Sequence, residues 1–212
     1  MKKSNLLRLT VISMIAVISI TLTNCGARET RQPIDKLSDL GKNEVIVVGR
    51  IVVDPPFAPD EQSFSPKGLS DWYKDIITLG TYQKDPPAGK YDYDQFGADE
   101  GKDMFLVKLN KTFFLKGKNR SFYIVGGSVV MKYENRGNSV HITTRAYPAR
   151  FKVNIRPNDK AVYIGTLIYK RNDFGDVKKV KFKNEYKKAK KEFRKKFGRS
   201  LKLRKSLLQP VK

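Results

Sequence analysis

SFYIVGGSVVMKYENRGNSVHITTRAYPARFKVNI, residues 121–155, decides the class of this chain. Two runs rich in Val, Ile, Tyr and Phe flank Asn135-Arg136-Gly137-Asn138, a tetrapeptide of turn formers. β-Branched and aromatic residues fit a pleated, half-buried surface. Asn and Gly accept the left-handed backbone that a tight reversal needs. The pattern predicts strands over 121–132 and 139–155, the second divided by Pro148, which cannot donate to a ladder. Gly126-Gly127 reads as a bulge rather than a phosphate cradle.

The same grammar extends in both directions. FLVKL (105–109) and TFFLK (112–116) are separated by Asn110-Lys111. Pro157-Asn158-Asp159 precedes AVYIGTLIYK (161–170), and Asn172-Asp173-Phe174-Gly175 precedes DVKKVKF (176–182). EVIVVGRIVV (44–53) reads as a buried first strand with a bulge at Gly49, stopped by Asp54-Pro55-Pro56. Short strands at near-regular spacing predict a mainly β chain, an antiparallel β-sandwich of about eight strands.

Residues 54–103 differ in kind, with 11 acidic against 5 basic residues and many Pro and Gly. Within them LSDWYKDIITL (69–79) predicts a short helix capped by Ser70, with Trp72, Ile76 and Leu79 on one face. Phe57, Phe64, Trp72, Tyr73, Tyr82, Tyr91, Tyr93 and Phe96 either cover an open side of the sandwich or form a recognition surface. Asp92, Asp94 and Gly97 match the calcium-loop spacing. Phe96 and Asp103 occupy two positions where stronger oxygen ligands belong, so the segment reads as a solvated acidic loop and no metal or other cofactor is expected. Its charge would also let it pair with the protein's own basic helix.

That helix is NEYKKAKKEFRKKF (184–197), where the apolar period changes to that of a helix. Tyr186, Ala189, Phe193 and Phe197 share one face, Asn184 can cap it and Gly198 can end it. A basic tail follows over 199–212, with Leu201, Leu203, Leu207 and Leu208. The whole chain carries a formal net charge of +22, and residues 176–212 hold 16 Lys or Arg against 3 acidic residues. Such a concentrated field can hold an anionic membrane, at about 1 kcal/mol per cation near the surface, or another acidic envelope polymer. Lys187, Lys188, Lys190, Lys191, Arg194, Lys195 and Lys196 are the candidate anion- and membrane-binding residues. The plainer alternative is that the aromatic stripe packs on the sandwich and the lysines are simply solvated.

The N-terminus explains the single cysteine. Lys2, Lys3 and Arg8 precede an uncharged apolar run over 9–23, shorter than the roughly 20 residues that a membrane span needs. It ends Leu22-Thr23-Asn24-Cys25. This resembles the lipobox of bacterial lipoproteins, with Leu three residues before the Cys. Asn24 stands where Gly, Ala or Ser is usual, which is similar to the relaxed lipoboxes of spirochaetes. The resemblance implies cleavage before Cys25, a diacylglycerol on its thiol, and a mature protein lipid-anchored in the bacterial cell envelope, at the outer membrane or cell surface. Loss of residues 1–24 would leave a charge of about +19. Residues 25–42 then read as a lipidated tether, with an ordered turn or short helix around Ile34 to Leu40 as the alternative, 43–182 as the sandwich domain and 183–212 as the basic helix and tail. Nucleic acid is not expected as a partner of an exported protein.

A second resemblance covers residues 105–197. Phe151-Lys152-Val153, Pro157 and Val162-Tyr163-Ile164-Gly165-Thr166-Leu167, followed by a strand and a short amphipathic helix, look like the Ig-like or prealbumin-like sandwich of bacterial lipoproteins of uncharacterised function. Pro157-Asn158 replaces the Pro-Gly turn of that pattern. It implies a fold and no activity.

No enzyme is expected. His141 lies alone in a strand pattern, Cys25 is claimed by the lipid, and no nucleophile elbow, phosphate loop or His-Glu-x-x-His is present. The function expected is a binding or envelope-structural role through the basic helix. The alternative is a protein-binding module acting through the aromatic, acidic segment 54–103.

Overall fold

The computed structural model describes residues 31–58, 61–64, 74–82, 103–137 and 139–211. These residues form a β-sandwich with a helix on its outer face. Eight strands have six residues or more: β2 (Glu44–Asp54), β4 (Ile76–Tyr82), β5 (Asp103–Lys108), β6 (Thr112–Lys118), β7 (Phe122–Arg136), β8 (Ser139–Val153), β9 (Ala161–Arg171) and β10 (Val177–Lys183). Four two-residue strands join them: β1 (Gln32–Pro33), β3 (Ser63–Phe64), β11 (Arg204–Lys205) and β12 (Gln209–Pro210). Helix α1 is Tyr186–Phe197.

One sheet has the order β1-β6-β2-β9-β10, with β11 also on β9. The other has the order β12-β8-β7-β4-β5, with β3 also on β7. Pairing is antiparallel except for β2–β9, β3–β7 and β11–β9. The parallel β2–β9 pair accounts for the unbroken apolar run at 44–53. Val45, Val47, Ile51 and Val53 enter the core between the sheets, while Ile46 and Val48 enter a second core under α1. A strand covered on both faces loses the polar half of its alternation.

A bulge re-aims β9. Val48 pairs with Tyr163 and Gly49 with Gly165, so Ile164 is the extra residue. Before it Val162 and Ile164 face the inter-sheet core; after it Leu167 and Tyr169 do. One inserted residue shifts the alternation by one, and Gly165 takes it at φ +108°. Gly49 thus marks the bulge as expected, although the extra residue belongs to its partner. Gly126 marks another shift, between Ile124 and Gly126 of β7.

Three expectations are corrected. Ile76–Tyr82 is a strand, not the end of a helix over 69–79; residues 69–73 lie outside the described ones. Ile77, Leu79 and Thr81 point inward at period two, and the β-branched content of IITLGTY favours the strand. Pro148 does not divide β8. It opposes Gly126 at the bulge, where a ladder hydrogen bond is already interrupted. The tether read over 25–42 is not free from residue 31 onward. Gln32 and Pro33 pair with β6, Ile34 is buried in the second core, and the Arg31 guanidinium lies 4.0 Å over the Phe122 ring.

The C-terminal tail is structural as well as basic. The amides of Ser206 and Leu208 donate to Tyr163 and Ile164 carbonyls, both at 2.9 Å. Four residues beyond β11, β12 pairs with Phe151 and Lys152 of the opposite sheet. Residues 204–210 therefore lace the two sheets together.

Candidate anion-binding face

Helix α1 is built from the outside of the first sheet. Ala189, Phe193 and Phe197 are buried against Ile34, Ile46, Val48, Ala161 and Tyr163. The Tyr186 ring lies 5.7 Å from that of Tyr163, and Phe197 meets Phe114 edge-on at 5.5 Å. The helix thus crosses the sheet from β9 to β6. Its first amide donates to Asn184 Oδ1 at 3.2 Å, while the cap position itself is Glu185. Gly198 ends it at φ 80°, its amide reaching the Arg194 carbonyl.

Burial of the aromatic face fixes where the cations go. Lys187, Lys190, Lys191, Arg194 and Lys195 follow an i, i+3, i+4, i+7, i+8 stripe, so they share one flank. With Arg199 they line a shallow concavity of about 570 Å³ that no carboxylate lines. Glu192, the one acidic residue of α1, lies off this stripe. The sequence reading did not single out Arg199. It sits one turn beyond Lys195, and only the path of the chain after Gly198 brings it back to the concavity.

Two expected residues stand apart. Lys188 borders a small crevice with Arg50 and Glu185 on the other flank. Lys196 Nζ is 2.6 Å from Asp35 Oδ1 and lies over the Phe114 and Phe197 rings at 5.2 and 5.7 Å. The hydrogen bond and charge of Lys196 hold the Asp35 carboxyl below its ordinary range. Lys196 therefore clips the N-terminal segment to the helix.

Acidic groups around α1 are already engaged. Burial raises the Glu185 carboxyl, but hydrogen bonds from Thr166 and Lys183 and the charges of Lys183 and Arg50 outweigh it and hold it below the usual range. Thr166 Oγ1 donates to Glu185 at 2.9 Å, and Lys183 stands at 3.3 Å.

A second concavity, of about 540 Å³, lies at the β9–β10 turn. Pro55, Pro56, Ala58 and Glu61 from the described part of the acidic segment line it, with Arg145, Arg171 and the turn 172–175. Arg171 donates to the Pro55 and Pro56 carbonyls at 3.1 and 2.9 Å, pairs with Glu61 and lies 4.5 Å over the Phe57 ring. Burial pushes the adjacent Tyr147 hydroxyl up to about 12. Phe174 at the turn is 83% exposed.

The remaining sequence candidates fall elsewhere. Cys25 and the calcium-loop residues 92–102 lie outside the described residues. So do Trp72, Tyr73, Tyr91, Tyr93 and Phe96. His141 is exposed on β8. Among the described residues no helix is long and apolar enough to cross a membrane. Comparison with known protein families, with curated proteins and with solved structures finds no match for this chain.

Proposed function

We propose that the protein is a bacterial envelope lipoprotein, anchored through Cys25, with a non-catalytic binding or structural role. Its basic helix acts as a second contact with an anionic membrane or envelope polymer. The carrying observation is that six cations and no carboxylate line one concavity on α1. The Asp35–Lys196 ion pair ties the N-terminal segment to the same helix. Cys25 is six residues before Arg31, so at about 3.6 Å per residue the anchor is at most about 22 Å from that segment. The anchor is then short enough to keep α1 near the membrane that holds the lipid. The two acyl chains of a diacylglycerol already anchor stably, so the basic flank adds affinity for anionic surfaces and orients the body on them.

Flotation with vesicles tests this reading. The chain from residue 25 to 212 with Cys25→Ser, which lacks both the apolar run 9–23 and the lipid, should float with vesicles containing anionic phospholipid and not with phosphatidylcholine alone. Raising salt from 50 to 500 mM should release it, since a Debye length of about 10 Å at 0.1 M screens exposed charges. Lys187→Glu with Lys191→Glu should reduce flotation at least about ten-fold, at about 1 kcal/mol per charge removed. Flotation that ignores both salt and these substitutions would sink the membrane role.

The second reading is a protein-binding module acting through segment 54–103. Exposed Phe174 beside the Pro55–Pro56 concavity supports it. Binding there would survive added salt and be lost in Phe174→Ser.

A further inference from the structure

Beside the basic concavity lies a narrower groove of about 240 Å³, between α1 and residues 199–203. The two share Lys190, Arg194 and Arg199. The groove has an apolar floor of Tyr186, Phe193, Leu201 and Leu203. Phe193 and Leu203 are buried, and Tyr186 and Leu201 are half-buried. The Tyr186 hydroxyl donates to the Leu203 carbonyl at 2.5 Å, which fixes the spacing between helix and tail. Lys190 Nζ lies 5.6 Å over the Tyr186 ring. Three cations therefore stand on the boundary between a polar basin and an apolar slot.

We propose that this groove seats the head of one anionic membrane lipid. Lys190, Arg194 and Arg199 hold its phosphate, and the beginning of its apolar part lies against Tyr186, Phe193, Leu201 and Leu203. Charge complementarity selects the head, because no carboxylate lines either concavity. Two guanidinium groups suit a phosphate, which each can hold with paired donors. A small inorganic anion would use the cations and leave the apolar floor wet. A neutral apolar ligand would leave the four cations that line the groove, Lys190, Arg194, Arg199 and Lys202, without a counter-charge. An amphiphile with a phosphate at its polar end satisfies both. This inference rests on the membrane reading above and adds to it a single stoichiometric lipid, where that reading needs only a diffuse surface potential.

Native mass spectrometry of the membrane-extracted protein in a non-ionic detergent tests it, with phosphatidylglycerol, phosphatidylcholine and glycerol phosphate as added probes. Phosphatidylglycerol should saturate at one molecule per chain. The other two should need at least about ten-fold higher concentration for half-occupancy, equivalent to the loss of one good contact set. Arg199→Glu alters an exposed residue and so leaves the fold intact; it should raise that concentration about ten-fold, and Leu201→Gln should do likewise. Equal retention of glycerol phosphate would mean a plain anion patch and overturn the groove assignment. So would adducts that never saturate, or an Arg199→Glu variant that binds like the parent. Vesicle flotation that persists in those cases leaves the membrane reading standing, while absence of flotation in the parent ends that reading itself.

Discussion

Gly49 faces the core between the two sheets. A Cβ there would come within 2.6 Å of Phe113 Cζ and 2.9 Å of Ile164 Cγ1. Both are core side chains with little freedom to yield, so Gly49→Ala should destabilise by about 1–3 kcal/mol through overpacking. Urea unfolding would register this as a lower midpoint with an unchanged slope, and an unchanged midpoint would mean the bulge relaxes freely. The sequence made this glycine legible as a break in a β-branched run. It could not reveal that the extra residue is Ile164, since pairing partners more than a hundred positions apart leave no local trace. Arg199 was hidden for a similar reason. Its neighbours in space are Lys195 and Arg194, one turn back around a helix end that only Gly198 hints at.

Among the elements, α1 was the most legible. Four apolar residues at helical spacing, interrupted only by charged residues, admit few other readings. Phe193 is its central contact, fully buried and 6.4 Å from the Phe114 ring. Phe193→Ala should cost about 3–5 kcal/mol. The loss should appear as a fall in helical circular dichroism at a temperature where sheet signal remains, because the cavity opens under the helix. The strands were legible wherever β-branched residues met turn formers. Ile76–Tyr82 was not, because Ile76 and Leu79 also fit a helical face and the run is too short for the two periods to separate. About eight strands were expected; the described residues hold more, because four two-residue strands join eight longer ones, and the eight longer ones match the expected number only through an exchange. One strand counted as two at Pro148 is replaced by one strand read as helix.

At the scale of the whole molecule, carboxylates bind the late parts of the chain to the early ones. Asp159 in the β8–β9 connection receives Arg204 Nε at 2.7 Å and the amide of Arg156 at 2.7 Å. Burial pushes its carboxyl up, but the Arg204 and Arg156 hydrogen bonds and charges outweigh this and hold it below the usual carboxylate range. Glu61 is likewise held down, where burial is outweighed by Arg171, the Ala58 amide and Arg145. A lowered carboxylate contributes stability that is complete above its unfolded value, near pH 4, and is lost as pH falls through the folded value. Thermal melts should therefore hold level from about pH 7 to 5 and fall below about 4. Asp159→Asn should remove about 1–2 kcal/mol at neutral pH and flatten that fall, because it deletes one of the titrating groups. An unchanged acid limb would show that the Asp159–Arg204 pair contributes nothing to the fold. None of this long-range lacing was legible in sequence, where Asp159 reads only as a turn former and residues 31–40 as a tether or, around Ile34 to Leu40, a short ordered turn; the turn is present at Leu37–Asp39, and its partners across the molecule are what the sequence hides.

The lacing has a consequence for biosynthesis. Residues 204–210 lie C-terminal to both strands they join, β8 and β9. A growing chain can lay down all eight long strands and still lack the strap that holds one sheet to the other. The body then stays unlocked until residues 204–210 have left the ribosome. Under the export proposed above, late sealing is a form of timing: the molecule becomes difficult to unthread only after residues 204–210 have been made.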